Sequence, residues 1–312
     1  MILTNSEIQT AKTCLRKEFL SYQLRLRPDR DPVYFRIGSA VHEGLDLAKQ
    51  GTPHKDATLT AANMVAGYDR AAVMAMLMGY FKHTEPVGEI IATEMSFKMP
   101  IFNPTTGRAM RIAEIAGKID GIVRLPDGRI AILEHKTTSD DLTDGSAYWK
   151  RLRIDSQISL YYMAAQYLGY DVETIVYDVL RKPTIKPYKE TENKKYKKDG
   201  TLYASMHDAD ETPEAYGLRC IDAIKEKPGY FYQRKEIPRL TDDIEEAKFE
   251  VWQWAKMIHD CKNNHRWPRN TGACVGFGTC QYFDICTNGY DVTSGIVPDG
   301  FKIVEEKHQE LI

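Results

Sequence analysis

Apolar residues recur at two different spacings along the first 180 residues of the chain. Up to Phe81 they return every three or four residues, which is the period of an amphipathic helix. Thr4-Asn5-Ser6-Glu7 supplies an oxygen-bearing cap and an early acid, as at a helix start. The pattern predicts three helices, over residues 4–24, 35–49 and 57–81.

From Glu89 onward the apolar residues alternate with polar ones or form β-branched runs, and both patterns favour strands. Two tight turns, Asn103–Gly107 and Pro126–Gly128, divide this region. The predicted strands cover residues 89–101, 108–125 and 130–136. Because short turns join them, we expect the three strands to be antiparallel neighbours in one sheet.

The second half of the chain alternates helical and strand patterns. A helix over 154–168 precedes an apolar strand over 174–180, which can return parallel to the sheet after that crossover. Helices over 213–227 and 242–261 follow, with a strand-like segment at 230–237 between them. The order of helix, three antiparallel strands, helix and parallel strand predicts an α/β (α+β) fold.

The net charge of the chain is only −2, so contacts to a polyanion would have to come from local basic patches. One candidate patch is the segment from Arg181 to Gly200. It contains seven lysines: Lys182, Lys186, Lys189, Lys194, Lys195, Lys197 and Lys198. The segment is either a solvated, mobile loop or a flap that contacts phosphates at the edge of a DNA groove.

The chain has no apolar run near the roughly 20 residues that span a membrane, and its N-terminus lacks the pattern of a signal peptide. We therefore expect a cytoplasmic protein with no membrane partner. In that compartment the six cysteines would be reduced thiols or metal ligands, not disulfides. The sequence has no GxxxxGK[ST] phosphate-binding loop, so we expect no ATP motor in it.

Three residues of the predicted sheet form a candidate catalytic group, namely Asp120, Glu134 and Lys136. Glu134 and Lys136 lie two positions apart on one strand and therefore share a face. If Pro126–Gly128 is a three-residue loop, the hairpin places Asp120 across from Glu134. A two-residue turn would instead pair Asp120 with His135 and direct its side chain to the other face.

This arrangement suits the hydrolysis of phosphodiester bonds. Two carboxylates can hold Mg²⁺ or Mn²⁺ while open positions remain for water and substrate. The metal activates the attacking water and neutralises charge that develops on the phosphoryl oxygens. A nearby lysine can position the water and stabilise the transition state. The alternative is an ion network on an exposed sheet surface, with no catalytic role.

The motifs around these residues resemble those of the PD-(D/E)XK nuclease superfamily. Gly117-Lys118-Ile119-Asp120, followed by Glu134-His135-Lys136 on the next strand, is similar to its GxxD and ExK motifs. Gly38-Ser39-Ala40-Val41-His42 and Gln157-Ile158-Ser159-Leu160-Tyr161 resemble the GxxxH and QxxxY motifs of the branch that contains RecB, Cas4 and AddB. The resemblance implies a restriction-endonuclease-like core within a single nuclease domain over residues 1–312. Its parts would be a helical N-terminal part (14–85), a catalytic core (88–181) and a helical part with a cysteine cluster (211–290).

The resemblance also implies a role for each matching residue. His42 would bind the metal beside Asp120 and Glu134, and the main-chain carbonyl of His135 would complete the shell. Lys136 would be the catalytic lysine.

Three further residues have roles that stay open at this point. Gln157 and Tyr161, one helical turn apart, would contact DNA or orient the site according to the resemblance. Without it, Gln157 is more simply a polar surface residue and Tyr161 a core residue. Glu94, in the upstream strand, is either part of the site or one member of a structural ion pair.

Four cysteines form a second candidate metal site. Cys274, Cys280 and Cys286 are spaced C-x5-C-x5-C, and Cys14 lies far upstream. Iron–sulfur nucleases of the AddB and Cas4 kind similarly join one early cysteine to three late ones, which implies a [4Fe–4S] cluster. Their first interval is often C-x2-C, and this chain departs from it. Zinc is the less favoured alternative, because its sites use tighter C-x2-4-C pairs.

The resemblance thus implies a Mg²⁺- or Mn²⁺-dependent deoxyribonuclease. We expect an exonuclease that acts on single- or double-stranded DNA ends in recombination, repair or phage DNA processing, with a recombination or annealing protein as its partner. The alternative is a catalytically silent iron–sulfur subunit that binds DNA within a recombination complex. The presence of Asp120, Glu134 and Lys136 argues against an inactive protein, because an inactive relative need not keep all three residues.

Overall fold

The structure, a computed structural model, describes residues 1–29, 33–276, 278–292 and 295–311. Its strands are β1 (Ile2–Leu3), β2 (Leu26–Pro28), β3 (Glu89–Phe102), β4 (Ala109–Arg124), β5 (Ile130–Thr138), β6 (Thr174–Arg181), β7 (Tyr232–Glu236) and β8 (Phe301–Ile303). Its α-helices are α1 (Asn5–Thr13), α2 (Leu15–Glu18), α3 (Val33–Lys49), α4 (His54–Ala62), α5 (Gly67–His83), α6 (Ala147–Leu152), α7 (Ser156–Tyr167), α8 (Pro213–Glu226), α9 (Pro228–Phe231), α10 (Thr241–Asn264) and α11 (Phe283–Thr287).

Six of the strands form one mixed sheet. β3, β4 and β5 are antiparallel neighbours, β6 lies parallel to β5, and β7 lies antiparallel to β6. The short β1 pairs in parallel with β4, and β2 pairs with β8 in a separate two-stranded sheet. The predicted order of helix, three antiparallel strands, helix and parallel strand is confirmed, and with it the α/β (α+β) fold class.

Helices cover both faces of the sheet. On one face α1, α7 and α10 pack on the strands, and Ile132 and Tyr177 are buried among Ile158 and Ile258. A second core joins α3, α4, α5 and α8. Because β6 is buried on both faces, it is a nearly continuous apolar run and does not alternate. None of the described helices combines the length and the apolar character needed to cross a bilayer.

The hairpin of β4 and β5 has the three-residue loop on which the catalytic assignment depends. Gly121 pairs with Leu133 and Arg124 with Ile130, so the register is symmetric about residue 127. Gly128 closes the turn with a φ of +93°, a left-handed conformation that favours glycine. Continued by one position, this register places Asp120 and Glu134 opposite each other, on one face of the sheet.

The predicted helix over residues 4–24 is wrong, because the helix is interrupted at Cys14. This residue is extended, with a φ of −168°, and separates α1 from α2. The Asn270 side chain donates to the Thr13 carbonyl at 2.9 Å, and the Asn270 N–H donates to Cys14 Sγ at 3.3 Å. Contacts from more than 250 residues away therefore end the helix, and no local breaker signals this.

Two other helix predictions were too long. The helix predicted over 57–81 is divided into α4 and α5, because Gly67 takes a left-handed φ of +57° at their junction. The helix predicted from residue 154 begins at Ser156, where the Asp155 side chain caps it by accepting from the Gln157 N–H at 2.9 Å.

A buried carboxylate ties α1 to the C-terminal segment. Glu7 is fully buried, with Lys307 Nζ 2.8 Å from its Oε1 and His308 Nε2 3.4 Å from its Oε2. Burial raises the pKa of Glu7 to about 7, although Lys307 acts in the opposite direction. The neighbouring Glu18 is also buried, and burial raises its pKa as well. The protonated form of Glu7 is therefore favoured by folding.

Glu7→Gln should change how stability depends on pH. The stability that Glu7 contributes is fully present below its unfolded-state pKa near 4.5 and is lost as the pH rises through its folded-state pKa of about 7. Relative to wild type, the variant should therefore gain about 1–3 kcal/mol in free energy of unfolding between pH 5 and pH 8. Urea denaturation at several pH values measures this. Glu226→Gln, at an exposed position, is the control. The prediction is contradicted if the free energy of unfolding changes with pH in the same way in all three proteins.

Candidate active site

Asp120 lies where the pairing of β4 with β5 stops. The described pairs end at Gly121 and Leu133, one position before Asp120. Beyond that point the Asp120 Oδ2 accepts the His135 N–H at 3.0 Å, and Lys49 Nζ donates to the Asp120 main-chain carbonyl at 2.8 Å. Both strands thus keep their buried backbone groups satisfied while they separate. The separation opens the sheet into a cleft at Asp120.

The backbone is irregular at the same place. Ile119 and Ile122 lie in one core, although residues three apart on a regular strand face opposite sides. On β3, Glu94 lies opposite Asp120 and has a φ of +49°. A left-handed φ costs a non-glycine residue about 1–3 kcal/mol, and such strain concentrates at functional sites. Glu94 also forms an ion pair with Lys118 in the cleft.

Next to the cleft, the buried Glu134 forms an ion pair with the half-buried Lys136. Lys136 Nζ lies 2.7 Å from Glu134 Oε1, while Glu134 Oε2 is buried without a hydrogen-bond partner among the described residues. Burial and the charge of Asp120 raise the pKa of Glu134 to about 8, against the effect of Lys136. Burial alone would lower the pKa of Lys136, but Glu134, Asp155 and Asp120 outweigh it and raise that pKa. The ammonium group therefore stays charged.

Gln157 and Tyr161 fix the position of this ammonium group. Lys136 Nζ donates to Gln157 Oε1 at 2.6 Å, and Gln157 Nε2 donates to the Tyr161 hydroxyl at 2.8 Å. Tyr161 in turn packs edge-on against Phe97, with ring centroids 6.0 Å apart. Because Gln157 and Tyr161 lie one turn apart on α7, their side chains form a series of hydrogen bonds that ends at the Lys136 ammonium group.

Two glycines of the motifs allow close contacts around the site. A Cβ on Gly117 would lie 2.5 Å from the ring of Phe97, so a larger residue would displace the ring that supports Tyr161. A Cβ on Gly38 would lie 3.0 Å from Thr137 Oγ1, so glycine at position 38 lets α3 approach β5 without displacing the Thr137 side chain. This approach brings the next turn of α3 to the cleft.

His42, on that turn of α3, lies across the cleft from β5. Its Nδ1 is 3.9 Å from Asp120 Oδ2. Burial lowers the pKa of His42; the charge of Asp120 opposes this shift, and Lys136 and Lys49 reinforce it. The neutral imidazole is the form that can bind a metal ion.

Asp46 lines the cleft and Lys49 contacts two of its residues, although no motif marks either residue. Lys49 Nζ lies 2.6 Å from Asp46 Oδ1, in addition to its bond to the Asp120 carbonyl. Burial raises the pKa of Asp46 to about 7, against the effect of Lys49. Asp46 and Lys49 follow His42 by four and seven residues on one helix, so they share its face. That spacing is the signal by which they could be found in the sequence.

The ring of His135 faces away from the cleft. It is buried near Asp178, with 3.7 Å between His135 Nδ1 and Asp178 Oδ2. The ring is therefore not a ligand candidate, and His135 contacts the site through its main-chain N–H, which donates to Asp120 Oδ2.

The cleft has a volume of ≈ 730 Å³, and its walls include His42, Asp46, Glu94, Asp120, Gln157 and Tyr161. Glu134 and Lys136 do not line it themselves, and Lys136 contacts its wall through Gln157. Imidazole nitrogen and carboxylate oxygen are ligands that Mn²⁺ accepts, and the unpartnered Oε2 of Glu134 is an atom that a cation would satisfy. Within the described ranges, no three His, Cys, Asp or Glu side chains lie close enough together to hold a metal ion as they stand. The donors fit a divalent cation in chemical type, and side-chain rotation would be needed to bring them close enough to form a shell.

The four predicted cysteine ligands line a different cavity, although among the described residues no three of them are close enough to hold a metal ion as they stand. Cys14, Cys274, Cys280 and Cys286 all line a space of ≈ 820 Å³ between α2, α11 and the loop before α11. The Cys280 N–H donates to the Cys274 carbonyl at 2.8 Å, which brings those two residues together. Cys220 and Cys261 are buried elsewhere, in α8 and α10. The structure thus separates the four expected ligands from the other two cysteines.

Comparisons with known proteins place this geometry in a family. A search of curated proteins found no significant match. The chain resembles the solved structure of a presumed exonuclease from Eubacterium rectale, at 12% identity and a TM-score of 0.48 over 93% of this chain and 94% of that one. It resembles the structure of SSO0001 at 13% identity and a TM-score of 0.30, over 81% and 85% of the two chains. Neither likeness is close enough to support an argument about function. The family model of the PD-(D/E)XK nuclease superfamily matches residues 2–287, and the chain therefore belongs to that superfamily.

Proposed function

We propose that the protein is a Mg²⁺- or Mn²⁺-dependent exodeoxyribonuclease that hydrolyses phosphodiester bonds at DNA ends. The observation that carries the proposal is the Lys136 ammonium group, held between Glu134 and Gln157 next to Asp120. An exonuclease is favoured over an endonuclease because the GxxxH and QxxxY motifs resemble those of the RecB-like branch. Recombination, repair or phage DNA processing is the corresponding setting, with a recombination or annealing protein as partner.

In this proposal His42, Asp120, Glu134 and the main-chain carbonyl of His135 hold the metal ion. When bound, Mg²⁺ or Mn²⁺ supplies Lewis-acid activation of water and neutralises charge at the scissile phosphate. The protein contributes by fixing these donors before the substrate arrives. Asp120 is held by the His135 N–H on one side and Glu134 by Lys136 on the other.

Lys136 has the second role in the proposed mechanism. Its charged ammonium group would donate a hydrogen bond to the phosphate or to the attacking water, and so stabilise the charge that develops in the transition state. Gln157 is a positioning residue, because it touches Lys136 and Tyr161. Asp46 and Lys49 would support the site from α3, since Lys49 fixes the Asp120 carbonyl.

Lys136→Ala should abolish cleavage without unfolding the protein. End-labelled linear DNA and covalently closed circular DNA are incubated with Mg²⁺ or Mn²⁺ and with each protein. Wild type should degrade the linear DNA and leave the circle intact, whereas the variant should be at least about 100-fold slower on linear DNA. Removing the metal with EDTA should stop the wild type as well.

The matched control is Lys225→Ala, which removes an exposed lysine of α8 and should retain wild-type activity. Cleavage of the circle by wild type would replace the exonuclease proposal with an endonuclease. Undiminished cleavage by Lys136→Ala would contradict the catalytic assignment. If wild type binds DNA and cuts neither substrate, the silent DNA-binding subunit becomes the better description.

We further propose that Cys14, Cys274, Cys280 and Cys286 hold a [4Fe–4S] cluster. Their shared cavity supports this, since a cluster is larger than a single ion and needs space among its thiolates. Burial raises the pKa of the Cys286 thiol, and Arg16 and Arg269 act against this shift and favour a thiolate. A cluster would join residue 14 to residue 286 and thereby restrict the unfolded chain.

Cys280→Ser should remove the cluster. Wild type prepared without oxygen should be brown and contain about four iron atoms per chain. The variant should be colourless, contain little iron and melt at a lower temperature, while the control Cys261→Ser keeps its iron. Wild-type protein that contains zinc and no iron, or neither metal, would contradict the proposal.

A further inference from the structure

The lysine-rich segment between β6 and α8 is an ordered hairpin. We call residues 182–211 the arm, residues 182–194 and 204–211 its two legs, and residues 195–203 its tip. Its two legs run antiparallel: the Glu211 N–H donates to the Tyr188 carbonyl at 3.0 Å, and the Thr191 N–H donates to the His207 carbonyl at 3.0 Å. Within the tip, Tyr196 forms an antiparallel bridge with Leu202. The legs therefore stay in register along the arm.

The base of the arm is fixed to the helical layer. Both carboxylate oxygens of Glu211 accept from Arg219 of α8 at 2.7 Å, and the Arg219 guanidinium lies 3.6 Å from the centre of the Tyr188 ring. Tyr188 stacks on His207 at 4.0 Å. Tyr68 of α5 donates to the Glu211 carbonyl. Such a base holds the legs in a defined direction relative to the sheet.

Charges cancel along the legs and accumulate at the tip. Lys189 pairs with Asp210 at 2.7 Å, and Lys194 pairs with Glu190 at 2.8 Å. At the tip, Asp199 accepts from the Thr201 N–H and hydroxyl. The exposed tip lysines are Lys195, Lys197 and Lys198, and the described ion pairs of the chain include none of them.

Two tyrosines accompany these lysines. Tyr196 is 57% exposed and Tyr203 is 49% exposed. The turn between the legs is tight: the Lys197 N–H donates to the Thr201 carbonyl at 2.8 Å, and Gly200 has a φ of +79°. Aromatic faces next to cations at an exposed tip are the combination that binds unpaired nucleic-acid strands, because bases stack on the rings and phosphates contact the cations.

The arm begins at the proposed active site. β6, which leads into it, is the parallel neighbour of the catalytic strand β5. The Lys182 N–H donates to the Thr138 carbonyl at the end of β5, at 2.7 Å, and Lys182 lines the cleft. Because the net charge of the chain is −2, attraction of DNA to this side has to come from a local patch such as the tip.

We propose that the tip of the arm, which begins at the cleft, binds single-stranded DNA, with Lys195, Lys197 and Lys198 on the phosphates and Tyr196 and Tyr203 on the bases. This inference rests on the proposed nuclease function for its biological meaning. Duplex DNA offers phosphates and no free base faces, so the exposed tyrosines favour an unpaired strand as the ligand.

The test measures binding of the full-length protein to a fluorescent oligothymidine and to a hairpin duplex in EDTA, over a range of salt concentrations. Changing the three tip lysines to serine should weaken single-strand binding by about 10- to 100-fold and lower the slope of log K against log salt by about 2. Changing Tyr196 and Tyr203 to alanine should weaken single-strand binding by at least about 30-fold, leave the salt slope unchanged, and affect the duplex less.

Serine at Lys55, Lys225 and Lys256 gives the matched control, since these exposed lysines lie on α4, α8 and α10 and the change in net charge is the same. A glutamine version of the tip-lysine variant repeats the test if the serine version fails to fold. The proposal is overturned by wild-type affinity and salt slope in the tip-lysine variants, by equal losses on single strands and duplex in the tyrosine variant, or by absence of single-strand binding in wild type. Because binding in EDTA requires no cleavage, these outcomes are independent of whether the protein is a nuclease.

Discussion

Main-chain pairing between β4 and β5 ends at Gly121 and Leu133, and the cleft exists because of that ending. A buried backbone cannot simply stop pairing, since each unsatisfied N–H or C=O group would cost free energy. Here the Asp120 carboxylate accepts one freed group and Lys49 donates to another. The carboxylate that opens the sheet is the same one that faces the cleft. The fold and the proposed chemistry therefore depend on one residue.

The ion pair of Glu134 and Lys136 adds a second constraint. Removing two charges from water is costly, and their mutual attraction repays that cost only when the remaining polar atoms are also satisfied. Gln157 satisfies Lys136, whereas Oε2 of Glu134 has no hydrogen-bond partner in the part of the chain that the structure describes, and the pKa of Glu134 is raised to about 8. A bound cation would remove this imbalance. An unpaired buried oxygen is poor for stability and suitable for metal binding.

Much of the sheet could be predicted from the sequence, because its signals are local. The turn at Pro126–Gly128 sets the hairpin register, and that register sets which residues face Asp120. The features that could not be predicted depend on distant contacts. Asn270 interrupts the first helix at Thr13, and no nearby residue indicates it. Lys49 reaches the cleft only because α3 packs on β5 at Gly38, a contact between segments about 100 residues apart. The legs of the arm pair without an alternating pattern of apolar residues, so the sequence favours a solvated loop there and does not indicate the hairpin.

The most direct test of the account is a crystal structure of the protein grown with Mn²⁺, with data collected at a wavelength where manganese scatters anomalously. We expect an anomalous peak in the cleft, within bonding distance of His42, Asp120 and Glu134, with Oε2 of Glu134 among the ligands. The same peak should be absent from crystals of Glu134→Gln. Manganese bound elsewhere, or a cleft that stays free of metal at saturating Mn²⁺, would contradict the assignment of this site.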